Sequence, residues 1–150
     1  MSEIWRPSVT VAAVIERGGR FLLVEERIDG RIVLNQPAGH LDPGESLLAA
    51  YRREVLEETA HRFEPSGLVG IYRWHYAARE VTFLRFCFSG QIKGVEDRAL
   101  DREIVALHWL TEGEVKSRQA EHRSPLVQKC VDDFVAGRHF PLDVLSKDYG

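Results

Sequence analysis

Three glutamates, Glu54, Glu57 and Glu58, crowd the end of a candidate helix within the stretch GHLDPGESLLAAYRREVLEETAH, residues 39–61. At about 100° per residue, their spacings of three, four and one put the side chains within an arc of roughly 100°. Leu47, Ala50 and Tyr51 lie close to the same arc, so the acids continue an inward-facing stripe. Like charges at these spacings cost about 0.2–0.5 kcal/mol per pair, and a carboxylate at a helix C-terminus costs about 0.3–1 kcal/mol more. A divalent cation would offset both penalties, since hard oxygen donors gathered on one rigid surface are what Mg2+ or Mn2+ requires. The alternative is a solvated acidic face balanced by Arg52, Arg53 and Arg62. Against it stand the apolar setting of the triad and the Gly/Pro loop before it, which can bring backbone carbonyls to the same spot. Arg53 is placed to hold one of these carboxylates, or that of Glu45, by a bidentate contact.

The elements that must position these groups follow from the pattern of the chain. Ser46 reads as an N-cap, and the helix runs from Leu47 to Thr59 without Gly or Pro. Ahead of it, Ser8 to Ile15 and Arg20 to Glu25 are β-rich runs around Gly18-Gly19, which predicts an antiparallel hairpin. Ile32 to Leu34 follows the Asp29-Gly30 turn, and NQPAGHLDPGE reads as a loop. Beyond the helix, Gly67 to Tyr76 and Glu80 to Ser89 predict a second antiparallel ribbon, with Val81, Phe83, Arg85 and Cys87 on one face. Glu103 to Leu110 predicts a strand, and Thr111 with Glu114 a capping box opening a short helix. A last helix spans about Ser124 to Val135, with Pro125 in its first turn and Gly137 as its stop. Strands on both sides of a long helix, with more helix at the end, imply an α/β protein with a mixed sheet covered on two faces.

Composition narrows the partners. A chain of 150 residues with 44% hydrophobic content suffices for one domain, residues 1–150, with a single sizeable core. Twenty basic against 23 acidic residues, a net charge of −3, provide no broad footprint for a nucleic-acid polymer or an anionic membrane. A small-molecule partner is expected, with the chain a monomer or homodimer. No apolar run approaches the roughly 20 residues of a membrane span and no leader pattern opens the chain, so a reduced, cytoplasmic setting is expected. Cys87 and Cys130 read as core residues rather than a redox or metal pair.

The spacing of Gly39, Glu45, Arg53, Glu54, Val55, Glu57 and Glu58 resembles the signature box of the Nudix hydrolases. Two closing positions depart, with Ala60 where the box has Gly and His61 where it has an aliphatic residue; these bear on how the helix ends. Outside the box, NQPAGHL (35–41), FLRF (83–86) and RSPLV (123–127) resemble the bacterial NudJ-type phosphatases of that family, over about Val9 to Leu142. The resemblance implies a Nudix-type α/β/α sandwich. It also implies hydrolysis of phosphoanhydride bonds in nucleoside di- and triphosphates and in the thiamine-precursor pyrophosphate of hydroxymethylpyrimidine, with release of orthophosphate. By the same resemblance Glu54, Glu57 and Glu58 ligate Mg2+ (or Mn2+) together with the Gly39 carbonyl, while Arg53 and Glu45 orient the cluster. Such chemistry is physically reasonable, because phosphoryl transfer depends on positioning, charge neutralisation and an activated water. Glu57 or Glu58 is the expected general base, with Glu103 a further candidate if it is more than a strand-edge charge.

Other residues carry two readings each. Tyr72, Trp74 and Tyr76 share a strand face that either stacks a substrate base or packs the core. Arg85 in an apolar strand needs an anion, either a substrate phosphate or a structural ion-pair partner. Asn35 and His40 flank Gly39 and either contact substrate or stabilise the turn. His61, His108 and His122 lack metal-ligand spacing. Alternatives to the NudJ-type activity are a Nudix enzyme acting on ADP-ribose, dinucleoside polyphosphates or NADH, and a nucleotide-binding module without turnover. The full set of Arg53, Glu54, Glu57 and Glu58 argues against the last, and no SQPWPFP-like stretch supports NADH.

Overall fold

Burial on both faces decides where the first strand goes. In the computed structural model, which describes residues 3–148, β1 (Ser8–Val14) is fully buried from Val11 onward. Such a near-continuous apolar run suits a strand covered on two faces. β1 accordingly lies inside a four-stranded mixed sheet of order β5-β1-β7-β6, formed with β5 (Ala38–His40), β7 (Val81–Val95) and β6 (His61–Tyr76). It runs parallel to β7 and antiparallel to β5. Val11, Ala13 and Ile15 point to one side and Ala12 and Val14 to the other, each set joining a separate core cluster.

The expected hairpin between residues 8–15 and 20–25 is therefore corrected. The Gly18-Gly19 turn forms, with positive φ at both glycines, but only the two-residue β2 (Glu16–Arg17) pairs with β3 (Arg20–Ile28). The chain changes sheets at Ile15, whose carbonyl accepts from Leu22 N at 2.9 Å. β3 instead centres a second, antiparallel sheet, flanked by β4 (Arg31–Asn35) and by β8 (Ile104–Thr111). The stretch expected as a loop likewise contains β5, which pairs with β1.

The ribbon of β6 and β7 is longer than its apolar core suggested. β6 extends back through Pro65 to His61, since it is an edge strand where Pro is tolerated, and register shifts beside Pro65 absorb the irregularity.

The long helix α1 (Leu47–Thr59) has the expected bounds, with Ser46 Oγ accepting from Ala49 N. It covers one face of the mixed sheet through Ala50, Tyr51 and Val55. After α2 (Glu112–Ser117), opened by the Thr111–Glu114 capping box, α3 (Leu126–Val135) covers the other face through Cys130 and Val131. Gly137, at φ +84°, ends it. The result is an α/β/α sandwich. Cys87 and Cys130 are both free and buried where β7 meets α3.

Candidate active site

A cleft of about 470 Å³ opens where the two sheets meet, between the end of β3, the segment from β4 to β5, the inner face of α1 and the start of β8. Its floor is acidic. One carboxylate oxygen each from Glu54, Glu58 and Asp101 lies within 4.8 Å of the others. Glu26, 2% exposed, lines the same floor and lies against Glu58.

Helical geometry explains which of the three predicted glutamates enters. The buried side of α1 carries Ala50, Tyr51, Val55, Glu58 and Thr59. Glu58 falls in the middle of that arc, Glu54 about 60° from its centre and Glu57 about 120° from it. The structure thus brings Glu54 and Glu58 together and leaves the Glu57 carboxylate at the rim, on Arg53 Nη1 at 3.3 Å. The backbone of Glu57 contributes in another way, because its carbonyl accepts from Asp101 N at 2.9 Å. That bond ties the segment between β7 and β8 to the end of α1 and delivers Asp101 to the floor.

β5 supplies the opposite wall. In an antiparallel ladder the bonded pairs recur every second residue. Bonds from Ala13 N to the Pro37 carbonyl and from Leu41 N to the Val9 carbonyl flank the Val11–Gly39 pair, so the polar groups of Gly39 face β1. Those of Ala38 face the other way, and Ala38 N donates to Glu58 Oε1 at 2.8 Å. By this alternation the Ala38 carbonyl, and not the Gly39 carbonyl expected as a ligand, lies on the side of the strand that faces the carboxylates. What Gly39 provides is room: a Cβ there would run into the Glu54 carboxylate.

Arg53 ties the wall and the helix together. Its Nε and Nη2 grip both oxygens of Glu45, at 2.6 and 2.8 Å, Nη1 reaches Glu54 Oε1 at 2.8 Å, and Nη2 also donates to the His40 carbonyl at 3.0 Å. This fork holds the Glu45 carboxyl down at about 2. The floor behaves oppositely. Burial, opposed by Arg53 and reinforced by Glu57 and Asp101, raises Glu54 to about 7. Burial and the nearby Glu26 push Glu58 to about 9. Burial also raises Glu26, against the pull of its Arg123 partner at 3.0 Å. Carboxyls that must hold protons to stay buried together, all with oxygen donors, fit a hard divalent cation well.

Above the floor sits Arg85, 6% exposed, its Nη1 on Gln36 Oε1 at 2.8 Å and its Nη2 on Asn35 Oδ1 at 3.1 Å. Gln36 is itself anchored, donating to the Val127 carbonyl at 2.7 Å. Among the described residues no carboxylate pairs with Arg85, so the structural ion pair considered for it is not formed. Its charge faces the cleft with neutral partners only. Asn35 is buried as the acceptor of Arg85, and His40 lies at the mouth with its ring 6.5 Å from that of Phe83. Trp74 lines the cleft too, its ring stacked on Tyr76 at 5.1 Å and Phe83 at 5.6 Å. Tyr72, on the same strand face, is instead buried with its hydroxyl donating to Asp133.

Sequence reasoning missed Asp101, Glu26, Gln36 and Arg123. Glu26 had a signal, since alternation along β3 puts it on the same face as Leu22 and Val24. Asp101 had none, because a short polar segment carries no period.

A mixed sheet covered by helices on both faces, with carboxylates and a buried arginine facing one cleft, suits a hydrolase of phosphoanhydrides. Residues 5–130 match the NUDIX domain family, and the chain belongs to it. Phosphatase NudJ of Shigella boydii and of Escherichia coli K12 are each 34% identical over 144 residues, covering 95% of this chain and 93% of theirs. A NUDIX hydrolase from Nitrosomonas europaea superimposes with a TM-score of 0.93 at 52% identity, covering 95% of this chain and 98% of that one. A MutT NUDIX hydrolase from Burkholderia pseudomallei, 21% identical with a TM-score of 0.74 over 86% of this chain and 98% of its own, shares the fold.

Proposed function

We propose that this Nudix hydrolase is a Mg2+-dependent (or Mn2+-dependent) phosphatase of nucleoside di- and triphosphates and of hydroxymethylpyrimidine pyrophosphate, releasing orthophosphate. The convergence of Glu54, Glu58 and Asp101 within 4.8 Å, beneath a buried arginine paired with no carboxylate among the described residues, carries this reading. The substrates are those that the resemblance to the NudJ-type phosphatases implies, and the chain matches relatives named Phosphatase NudJ almost end to end.

Glu54, Glu58, Asp101 and the Ala38 carbonyl would hold the ion, with Glu57 adding an oxygen from the rim. Bound there, a divalent cation supplies charge neutralisation to the anhydride oxygens and acidifies water. Arg85 takes the phosphate oxygens that face away from the floor, satisfying a guanidinium otherwise buried on neutral partners. Arg53 and Glu45 hold Glu54 in place. Glu103 accepts the proton of the attacking water. The other carboxylates that line the cleft each hold an arginine or a backbone N–H, whereas the Glu103 side chain has no such bond among the described residues.

A panel of nucleoside phosphates and the pyrimidine pyrophosphate, assayed with Mg2+, Mn2+ or chelator and with orthophosphate and pyrophosphate resolved, tests the reading. Metal-dependent orthophosphate release is expected. Pyrophosphate as the product, or turnover unaffected by chelator, would overturn it.

A further inference from the structure

The cleft does not end at Trp74. A second hollow of about 290 Å³ continues from it, sharing Ile28, His40, Trp74, Phe83 and Arg123 with the first. The two parts have opposite character. Five carboxylates line the first, Glu26, Asp42, Glu54, Glu58 and Glu103, against Arg85 and Arg123. The second is lined by Arg31, Arg79 and Arg123 against Asp29 alone.

We propose that this outer hollow is a second anion site, seating the part of a nucleotide substrate that carries its own phosphate, away from the pyrophosphate held at the floor. The proposal rests on the phosphohydrolase reading of the inner cleft and names a substrate class for it: nucleoside diphosphates phosphorylated again on the ribose. Arg123 is held by Glu26 and Arg79 by Asp29, while Arg31 has no carboxylate partner among the described residues. An ordinary nucleoside or a pyrimidine ring is neutral, so it gives Arg31 and an opened Arg79 nothing to pair with. A phosphate matches them, since the planar fork of Arg binds phosphate oxygens in pairs. The wall of stacked rings formed by Tyr76, Trp74 and Phe83 gives the nucleoside between the two phosphates an apolar surface.

Asp29 and Arg79 show how the site is kept in the absence of such a ligand. Arg79 ends the short turn between β6 and β7, Asp29 sits in the turn between β3 and β4 at φ +50°, and the two side chains pair across the mouth of the hollow. Both are 60% exposed, so the pair adds little to stability and can open. A ligand phosphate takes the place of the Asp29 carboxylate on Arg79.

This exchange makes two substitutions act in opposite directions. The assay compares a nucleoside 5′-diphosphate with the same compound bearing a 3′-phosphate, in wild type, Arg79→Ala and Asp29→Asn. Wild type is expected to show a KM about tenfold or more lower for the 3′-phosphorylated probe. Arg79→Ala should erase that difference, and Asp29→Asn should widen it by removing the competing carboxylate. Equal KM values in wild type, or both variants raising KM alike for both probes, would overturn the proposal and leave the pair as a clasp between turns. If neither probe is cleaved with any metal, the substrate reading of the inner cleft fails separately. Calorimetry of a nucleoside 3′,5′-bisphosphate without metal then tests the outer site alone: weaker binding to Arg79→Ala and tighter binding to Asp29→Asn support it, and unchanged binding refutes it.

Discussion

Replacing Gly39 with alanine tests whether the packing of Glu54 against bare strand backbone builds the ion site. The backbone itself accepts the change, because Gly39 does not have a positive φ. The obstruction is steric, since the new methyl runs into the Glu54 carboxylate. That carboxylate has little freedom to drift: Arg53 Nη1 holds it at 2.8 Å and its side chain is 12% exposed. Overpacking of this kind costs about 1–3 kcal/mol. At about 2–4 °C per kcal/mol for a domain of this size, Tm should fall by about 2–12 °C. Displacing one of three clustered carboxylates should weaken Mg2+ binding by about 10–100-fold, the range seen when groups that orient metal ligands are lost. Isothermal titration with Mg2+ and thermal melts with and without the ion read both effects. Adding Glu54→Asp to Gly39→Ala shortens the obstructed side chain and should recover part of each loss. A lower Tm with unchanged Mg2+ affinity would remove Glu54 from the ion site, and no change in either would refute the packing argument.

Three further outcomes are expected. Glu103→Gln should lower kcat by about 10²–10⁴-fold with Mg2+ affinity unchanged, as for loss of a general base; wild-type kcat would return that role to Glu57 or Glu58. Glu57→Gln, with circular dichroism intact, should lower phosphate release at least about tenfold if its rim oxygen joins the ion, and near-normal activity would confine Glu57 to its backbone bond with Asp101. The metal-free protein should lose stability as pH rises. Glu54 and Glu58 keep their protons in the fold to about 7 and about 9, whereas the unfolded chain releases them near 4.5. Between those values the folded state binds more protons, so melting temperature should fall from about pH 5 to about pH 9, and saturating Mg2+ should flatten the decline. A metal-free Tm that rises across this range would contradict the assigned burial of the pair.

Elements governed by local rules were legible, and those governed by competition between partners were not. The bounds of α1 follow from Ser46 and an uninterrupted helical run, and the Thr111–Glu114 box announces α2 by itself. The partner of β1 does not follow from its neighbours in sequence. Gly18-Gly19 makes the local hairpin attractive, but burying both faces of β1 between α1 and α3 outweighs two strands' worth of local pairing. β5 was hidden because three residues after a Pro, with a Gly at their centre, carry no β signal until β1 is there to pair with. The helical spacing correctly puts Glu54 and Glu58 on the inward side, yet an arc of roughly 100° is too coarse to separate them from Glu57. Asp101 reaches the floor through a backbone bond, which has no signature in residue type.

That backbone bond also answers why so much negative charge is tolerated at the end of α1, where the helix dipole opposes it. The last carbonyls of a helix lack partners within it. Here the Glu57 carbonyl accepts from Asp101 N, the Thr59 carbonyl from His61 Nδ1 at 2.6 Å, and the Ala60 carbonyl from Glu96 N at 2.7 Å. Ala60, at φ +58°, closes the helix in the left-handed conformation that glycine adopts at lower cost. The two departures from the Nudix box therefore fall where the helix end is held from outside. His61 replaces an aliphatic contact with a hydrogen bond to the helix, and its ring still packs edge-on against Trp109 at 6.4 Å. The segment that quenches the negative end of the helix is the same segment that carries Asp101 and Glu103. Charge relief at the helix terminus and assembly of the acidic floor are consequently one structural event, and loosening residues 96–103 should cost both together.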